Sequence, residues 1–247
     1  DQSIMRTTLF PQILQVMSHN YNHRLESCSI FEINPIFLPK SLPLTDLPDE
    51  VLTLAMGEYG ENSDFYSLKG KLEKLVSLLG LADRVSFQPG THSALHPGRT
   101  AEVLLDGEAI GVFGEVHPRI SEGYEIGVRA VLGELNLQVL LDQADTNKQY
   151  KSLPRYPAVT RDLAFVVEKS IPAAKILNTI RRGGGSILEE VKLFDIYEGS
   201  QIPEGHKSMA YALSYRASDR TLKDDEVNRA HDKIIGMLEA DLGASLR

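Results

Sequence analysis

Asp195 and Tyr197 stand two residues apart in the run Leu193-Phe194-Asp195-Ile196-Tyr197-Glu198-Gly199. Side chains of an extended strand alternate with period two, so a carboxylate and a phenol ring here share one side. The carboxylate can accept from the amino group and ring N–H of a guanine. The ring can stack a base, an interaction worth about 1–3 kcal/mol. The plain alternative is that both side chains only solvate an ordinary sheet face. Arg161, Lys207, Arg216 and Arg220 could contact phosphates, or could be surface charges.

Other signals are weaker. Gly183-Gly184-Gly185 resembles a phosphate cradle in composition, but it follows a helical pattern instead of opening one, so it reads as a turn. His92 and His96 have metal-like spacing without a third ligand in view. His117-Pro118 reads as a turn starting a helix. No nucleophile elbow, Walker loop or dinucleotide fingerprint is present. Neither a catalytic residue nor a metal ligand is assigned.

The elements that must carry Asp195 and Tyr197 follow the order β-α-β-β-α-β. The predicted strands are Arg161–Glu168, Glu189–Tyr197, Lys207–Ala217 and a short Gly243–Arg247. The predicted helices are Ala173–Arg182, stopped at the glycines, and Lys223–Leu242, capped by Asp219 or Thr221. This is the ferredoxin-like split βαβ. Leu163, Phe165 and Val167, with Met209, Tyr211, Leu213 and Tyr215, make a large apolar face that the two helices must cover. Ala164, Ser208, Ala210, Ala212 and Ser214 make a face of small groups that stays open. Unstacked bases are read by exposed sheets of this kind in common RNA-binding modules.

The preceding residues predict an antiparallel sheet with helices. A helix spans about Leu9 to Asn22, and a second spans residues 64–80 with Leu68, Leu72, Leu75, Val76 and Leu79 on one side. Strands are predicted at Ser29–Leu38, Val51–Gly57, His92–His96, Thr100–Leu105, Ala109–Glu115 and Val128–Asn136, the last running into Leu137–Gln143. Asp106-Gly107 between alternating runs marks a hairpin. The polar stretch Asp142–Gln149, followed by Pro154 and Pro157, places a domain boundary near residues 150–154. The fold class is α+β.

The chain has 247 residues, 42% of them apolar and 24% charged, which suits two soluble domains. Its net charge of −8 argues against nucleic acid only on average. Residues 1–150 carry 11 Lys and Arg against 20 Asp and Glu, whereas residues 151–247 carry 15 against 14. The second part can therefore present a local basic edge. A single cysteine, Cys28, in an apolar run reads as a buried thiol, and with no signal pattern the chain fits a cytoplasmic setting. The first residue is not methionine, so the chain reads as a fragment. No apolar run is long enough for a membrane span.

These residues together resemble the C-terminal part of the bacterial phenylalanine–tRNA ligase β subunit, over nearly the whole chain. The ferredoxin-fold anticodon-binding domain of that family is matched by Tyr156-Pro157-Ala158-Val159-Thr160-Arg161-Asp162-Leu163-Ala164-Phe165, by Leu193–Gly199, by Lys207-Ser208 and by Arg220-Thr221-Leu222 with Asp225-Glu226-Val227. Its catalytic-like module is matched by Met5-Arg6-Thr7-Thr8-Leu9, Phe31-Glu32-Ile33, Phe65–Gly70, His96-Pro97-Gly98-Arg99 and Gly114–Pro118.

The resemblance implies a class II synthetase-like antiparallel sheet over residues 1–150 and a ferredoxin-like anticodon-binding domain over 154–247. It assigns Asp195 and Tyr197 to recognition and stacking of the first anticodon base of tRNA(Phe), Ser208 and Ala164 to the same floor, and Arg161 to backbone contact. It implies that the first domain is inactive and docks the catalytic α subunit in an (αβ)2 assembly, with apolar residues on Leu9–Met17 at the interface. ATP and Mg²⁺ would serve the holoenzyme in the α subunit. Leu38-Pro39 and Leu135 occupy positions where an active class II site needs arginines to fork onto ATP phosphates. No editing domain is matched, so proofreading is not expected. The rivals are a ferredoxin-like amino-acid sensor and a purely structural subunit.

Overall fold

A computed structural model describes residues 4–147, 150 and 153–247. The chain divides into two compact units, Asp1–Gln149 and Tyr150–Arg247. Residues 151 and 152, within the predicted boundary, and residues 148 and 149 just before it lie outside the described residues.

The first unit is one six-stranded antiparallel sheet in the order β1-β2-β6-β5-β4-β3, with a core on each face. The strands are β1 (Cys28–Leu38), β2 (Asp49–Tyr59), β3 (Val85–Pro89), β4 (Leu95–Leu105), β5 (Glu108–Val116) and β6 (Ala130–Asn136). Helix α1 (Phe10–Asn22) buries Phe10, Ile13, Leu14 and Met17, one stripe of a 3.6-residue repeat, against Ala55, Tyr59 and Leu132. Gly57 permits this approach: a Cβ there would overlap Ile13 and Met17. Helix α2 (Phe65–Leu78) buries Leu68, Leu72 and Val76 on the other face, with Phe113, Val131 and Leu135. Asp64 caps it by accepting from the Ser67 amide at 2.8 Å. The short helices α3 (Pro118–Gly123) and α4 (Leu137–Gln143) complete the unit.

Three expectations change here. Leu9, Phe10, Ile13, Leu14 and Met17 are buried in the unit's own core, so this apolar run is not a free interface; Val16 alone of the Leu9–Met17 apolar residues is exposed. Strand β3 was not predicted; it is a short edge strand ending on Pro89. Residues 93–94 form a turn, and β4 begins at Leu95 and runs unbroken through the residues where a second strand was expected, with its register against β5 shifted between Leu95 and Thr100. His92 accepts from the Ala94 amide at the turn before β4 and packs edge-on against Phe10, and His96 accepts from the Gly98 amide within the irregular start of β4. His117 does cap α3, accepting from the Arg119 amide at 3.2 Å.

Among the first unit's charges, Glu58 is almost fully buried, and it accepts from Ser67 and pairs with Lys71. A carboxylate on an inner face is tolerated when its oxygens are satisfied in this way.

The second unit contains β7 (Val159–Glu168), α5 (Ala173–Gly184), β8 (Leu188–Tyr197), β9 (His206–Tyr215), α6 (Asp224–Leu242) and β10 (Ser245–Leu246). Its sheet order, β10-β7-β9-β8, is the ferredoxin-like arrangement. Both helices lie on one face over Leu163, Phe165, Val167, Met209, Tyr211, Leu213 and Tyr215. Phe165 and Tyr211 stack with centroids 5.9 Å apart and planes 3° apart.

Two details of this unit differ from expectation. Gly183 and Gly184 belong to α5 and are buried, and the chain turns only at Gly185, whose φ is +60°. A Cβ on Gly183 would stand 2.9 Å from the Ile234 Cα, so glycine here lets α5 approach α6. Neither Asp219 nor Thr221 caps α6; the Glu226 carboxylate reaches back to the Lys223 amide at 3.1 Å. Asp219 and Glu226 instead hold Arg220.

Candidate nucleic-acid interface

The registers of the second sheet define its helix-free face row by row. Val166 faces Ser208, which faces Tyr197, and Ser245 of β10 lies beyond Val166. Ala164 faces Ala210, which faces Asp195. Asp162 faces Ala212, which faces Lys192. The Arg247 amide donates to the Ala164 carbonyl at 3.1 Å, placing Arg247 at the end of the Ala164 row.

Two register shifts in β8, at Glu189 and Phe194, set this arrangement. A bulge inserts one unpaired residue and resets the alternation. Leu193 therefore faces Tyr211 on the helix side while Asp195, two residues later, faces Ala210 on the open side. Beyond the bulge, Ile196 faces Met209 and Tyr197 faces Ser208. Asp195 and Tyr197 thus share the open face, across a floor of small residues, and both are exposed.

Asp195 makes no ion pair with the described residues, so its oxygens are available to a donor. The Tyr197 ring is 38% exposed. Its hydroxyl end lies against Gly199, where a Cβ would overlap Oη and Cζ. The Arg247 guanidinium lies over the ring, 5.6 Å from its centroid, and donates to Gln201 Oε1 at 3.2 Å.

The five predicted site residues do not all meet. Asp195, Tyr197 and Ala164 share the open face. Ser208 is on the same face but only 4% exposed, beneath its neighbours, so it shapes the floor more than it offers a contact. Arg161 is elsewhere. It faces Leu213 on the helix side and pairs with Asp224 of α6 at 3.5 Å. Its parity with Leu163 already carried that signal.

The other cations considered for phosphate are engaged. Lys207 donates to the carbonyls of Lys169 and Ile171, and burial lowers its pKa. Arg216 pairs with Glu189 and donates to the Tyr156 carbonyl. Arg220 is held by Asp219 and Glu226. The cations that do sit on the open rows, Lys192 and Arg247, were not anticipated. Ala244 and Leu246 alternating with Ser245 and Arg247 was the available signal for Arg247.

A planar small-residue floor, an aromatic ring, a free carboxylate and a cation can together hold a base and its phosphate.

Comparison with known proteins finds relatives over the whole chain. The family profile described as "Phenylalanyl tRNA synthetase beta chain CLM domain" matches residues 1–137. That described as "Ferredoxin-fold anticodon binding domain" matches residues 154–247. The chain is 43% identical, over its full length, to the phenylalanine–tRNA ligase β subunit of Clostridium tetani, of which it covers 31%. It is 39% identical to that of Clostridium acetobutylicum, again over the full chain and 31% of the relative. It is 40% identical to that of Shouchella clausii, covering 32% of it. The chain thus spans about a third of the length of these relatives. Among solved structures, pyrrolysyl-tRNA synthetase from Desulfitobacterium hafniense aligns with 55% of this chain and 48% of its own, at 19% identity and a TM-score of 0.43, a likeness too slight to bear on function. The chain belongs to the phenylalanine–tRNA ligase β subunit family.

Proposed function

We propose that the second unit binds the anticodon of tRNA(Phe), with the first anticodon base stacked on Tyr197 and its polar edge donating to Asp195. Ala164 and Ser208 form the floor beneath the nucleotide. The observation that carries this reading is the placement of an unpaired carboxylate and a partly exposed ring on one small-residue sheet face. Arg161 holds the start of α6 through Asp224 and takes no part in this contact.

The first unit acts as a docking module for the α subunit, within an (αβ)2 ligase in the cytoplasm. In support, β1 is a sheet-edge strand that exposes Phe31 and Ile33. The sheet is a class II-like scaffold without catalytic groups of its own. By the class II resemblance, Leu38 and Leu135 take the places of arginines that would hold ATP phosphates. Glu134 is committed to structure, accepting from the Thr8 hydroxyl at 2.7 Å and the Leu9 amide at 2.8 Å. No cluster of three His, Cys, Asp or Glu side chains is gathered for a metal among the described residues. In this reading ATP and Mg²⁺ are held by the α subunit. The described helices include none long and apolar enough to cross a membrane.

The test is a titration of the chain with the tRNA(Phe) anticodon stem-loop, comparing wild type with Asp195→Ala. Loss of a charge-assisted contact weakens binding about tenfold or more. Equal binding by the two proteins removes the role assigned to Asp195. ATP-dependent pyrophosphate exchange by the purified chain would overturn its assignment as non-catalytic.

A further inference from the structure

Arg247 comes from the far end of the second unit, after β10, yet it reaches the ring that β8 supplies. Its amide is fixed on the Ala164 carbonyl, and its guanidinium spans the face to Tyr197 and Gln201. Most neighbouring arginines are spoken for. Arg161 pairs with Asp224, Arg182 with Asp241, Arg216 with Glu189, and Arg220 with Asp219 and Glu226. Among the described residues Arg247 makes no ion pair, and its guanidinium has one neutral side-chain acceptor, Gln201. A permanent charge, weakly hydrated and planar, can rest on an aromatic face without a counter-ion. It keeps its forked donors for an anion that arrives later.

We propose that Arg247 is a phosphate-contacting residue of this face: the guanidinium rests on the Tyr197 ring in the RNA-free protein and moves to the backbone phosphate of the nucleotide that stacks there. The proposal rests on the reading of this face as an RNA site. It also accounts for the absence of a dedicated phosphate ligand among Arg161, Lys207, Arg216 and Arg220, each of which is engaged elsewhere. Gln201 holds the guanidinium by a single neutral hydrogen bond, which a charged phosphate oxygen outcompetes.

The test compares Arg247→Gln with Arg247→Lys in the full chain, titrating the anticodon stem-loop at several salt concentrations. Both variants keep the backbone bond to Ala164 and a long polar side chain, so β10 pairing survives, and thermal unfolding midpoints check this. Each phosphate contact to a single strand adds about 0.7 to the slope of log affinity against log salt. Arg247→Gln is expected to reduce that slope by about 0.7 and weaken low-salt binding several-fold, whereas Arg247→Lys retains the slope. An unchanged slope in Arg247→Gln, with Tyr197→Ala still weakening binding, overturns the proposal and leaves the RNA site standing. Unchanged binding in Tyr197→Ala and Asp195→Ala overturns both.

Discussion

Gly199→Ala is expected to damage RNA binding while leaving the fold almost untouched. Gly199 lies just beyond β8, and its backbone is not in the left-handed region, so alanine is acceptable to the main chain. The added Cβ would overlap Oη and Cζ of Tyr197 and come within 2.8 Å of Cε1. Those atoms are the far end of a side chain that is partly exposed and free to swing. The clash is therefore relieved by moving the ring, at a stability cost on the order of 0.5 kcal/mol for a site outside the core. Moving the ring removes the stacking platform, worth about 1–3 kcal/mol per base. That corresponds to about 5- to 150-fold in affinity. The assay pairs a stem-loop titration with urea unfolding followed by tyrosine fluorescence. If Gly199→Ala binds like wild type while Tyr197→Ala does not, the ring is not positioned by its packing on Gly199.

Two further outcomes test the second unit. Gly183→Ala and Gly236→Ala place the same methyl in α5 and α6, with opposite results: the first meets the Ile234 backbone at 2.9 Å, whereas nothing lies within 4 Å of the second. Gly183→Ala should destabilise by about 1 kcal/mol or more, and Gly236→Ala should stabilise by about 0.5–1 kcal/mol, read as opposite shifts in urea midpoint; shifts of one sign would refute the packing account. His231, hydrogen-bonded to the Tyr215 hydroxyl at 3.1 Å, has its pKa lowered below 6.5, first by burial and then by Arg161, against the raising effect of Asp232. The unfolded chain then binds the proton more readily, so this contribution is complete above 6.5 and is lost as pH falls from 6.5 through the lowered value. His231→Gln should flatten stability against pH in that window, and an unchanged slope would show that another group titrates there.

Much of the second unit was legible because β7 and β9 alternate strictly. Leu163, Phe165 and Val167, with Met209, Tyr211, Leu213 and Tyr215, identified the helix-covered face, and the small residues between them identified the open one. Asp195 and Tyr197 follow from the same rule, since both lie on the same side of the Phe194 bulge. Arg161 was readable by parity with Leu163 and belongs to the helix side. In the first unit, the stripes of α1 and α2 and the Asp106-Gly107 hairpin were plain, whereas β3 is too short, and too close to Pro89, for its alternation to stand out.

What lay beyond the local pattern depends on residues remote in the chain. A glycine triplet looks the same whether it ends a helix or admits another one, and only the closeness of Ile234 shows why Gly183 is helical. An apolar stripe looks the same whether it meets a partner or its own sheet, and β2 and β6 claim that of α1. Arg247 reaches Tyr197 because β10 adds to the edge of β7, fifty residues away from the ring in sequence. Periodicity reports which side a residue faces, since that follows from the covalent geometry of the strand. It does not report what stands on that side, since long-range pairing and packing bring those neighbours together.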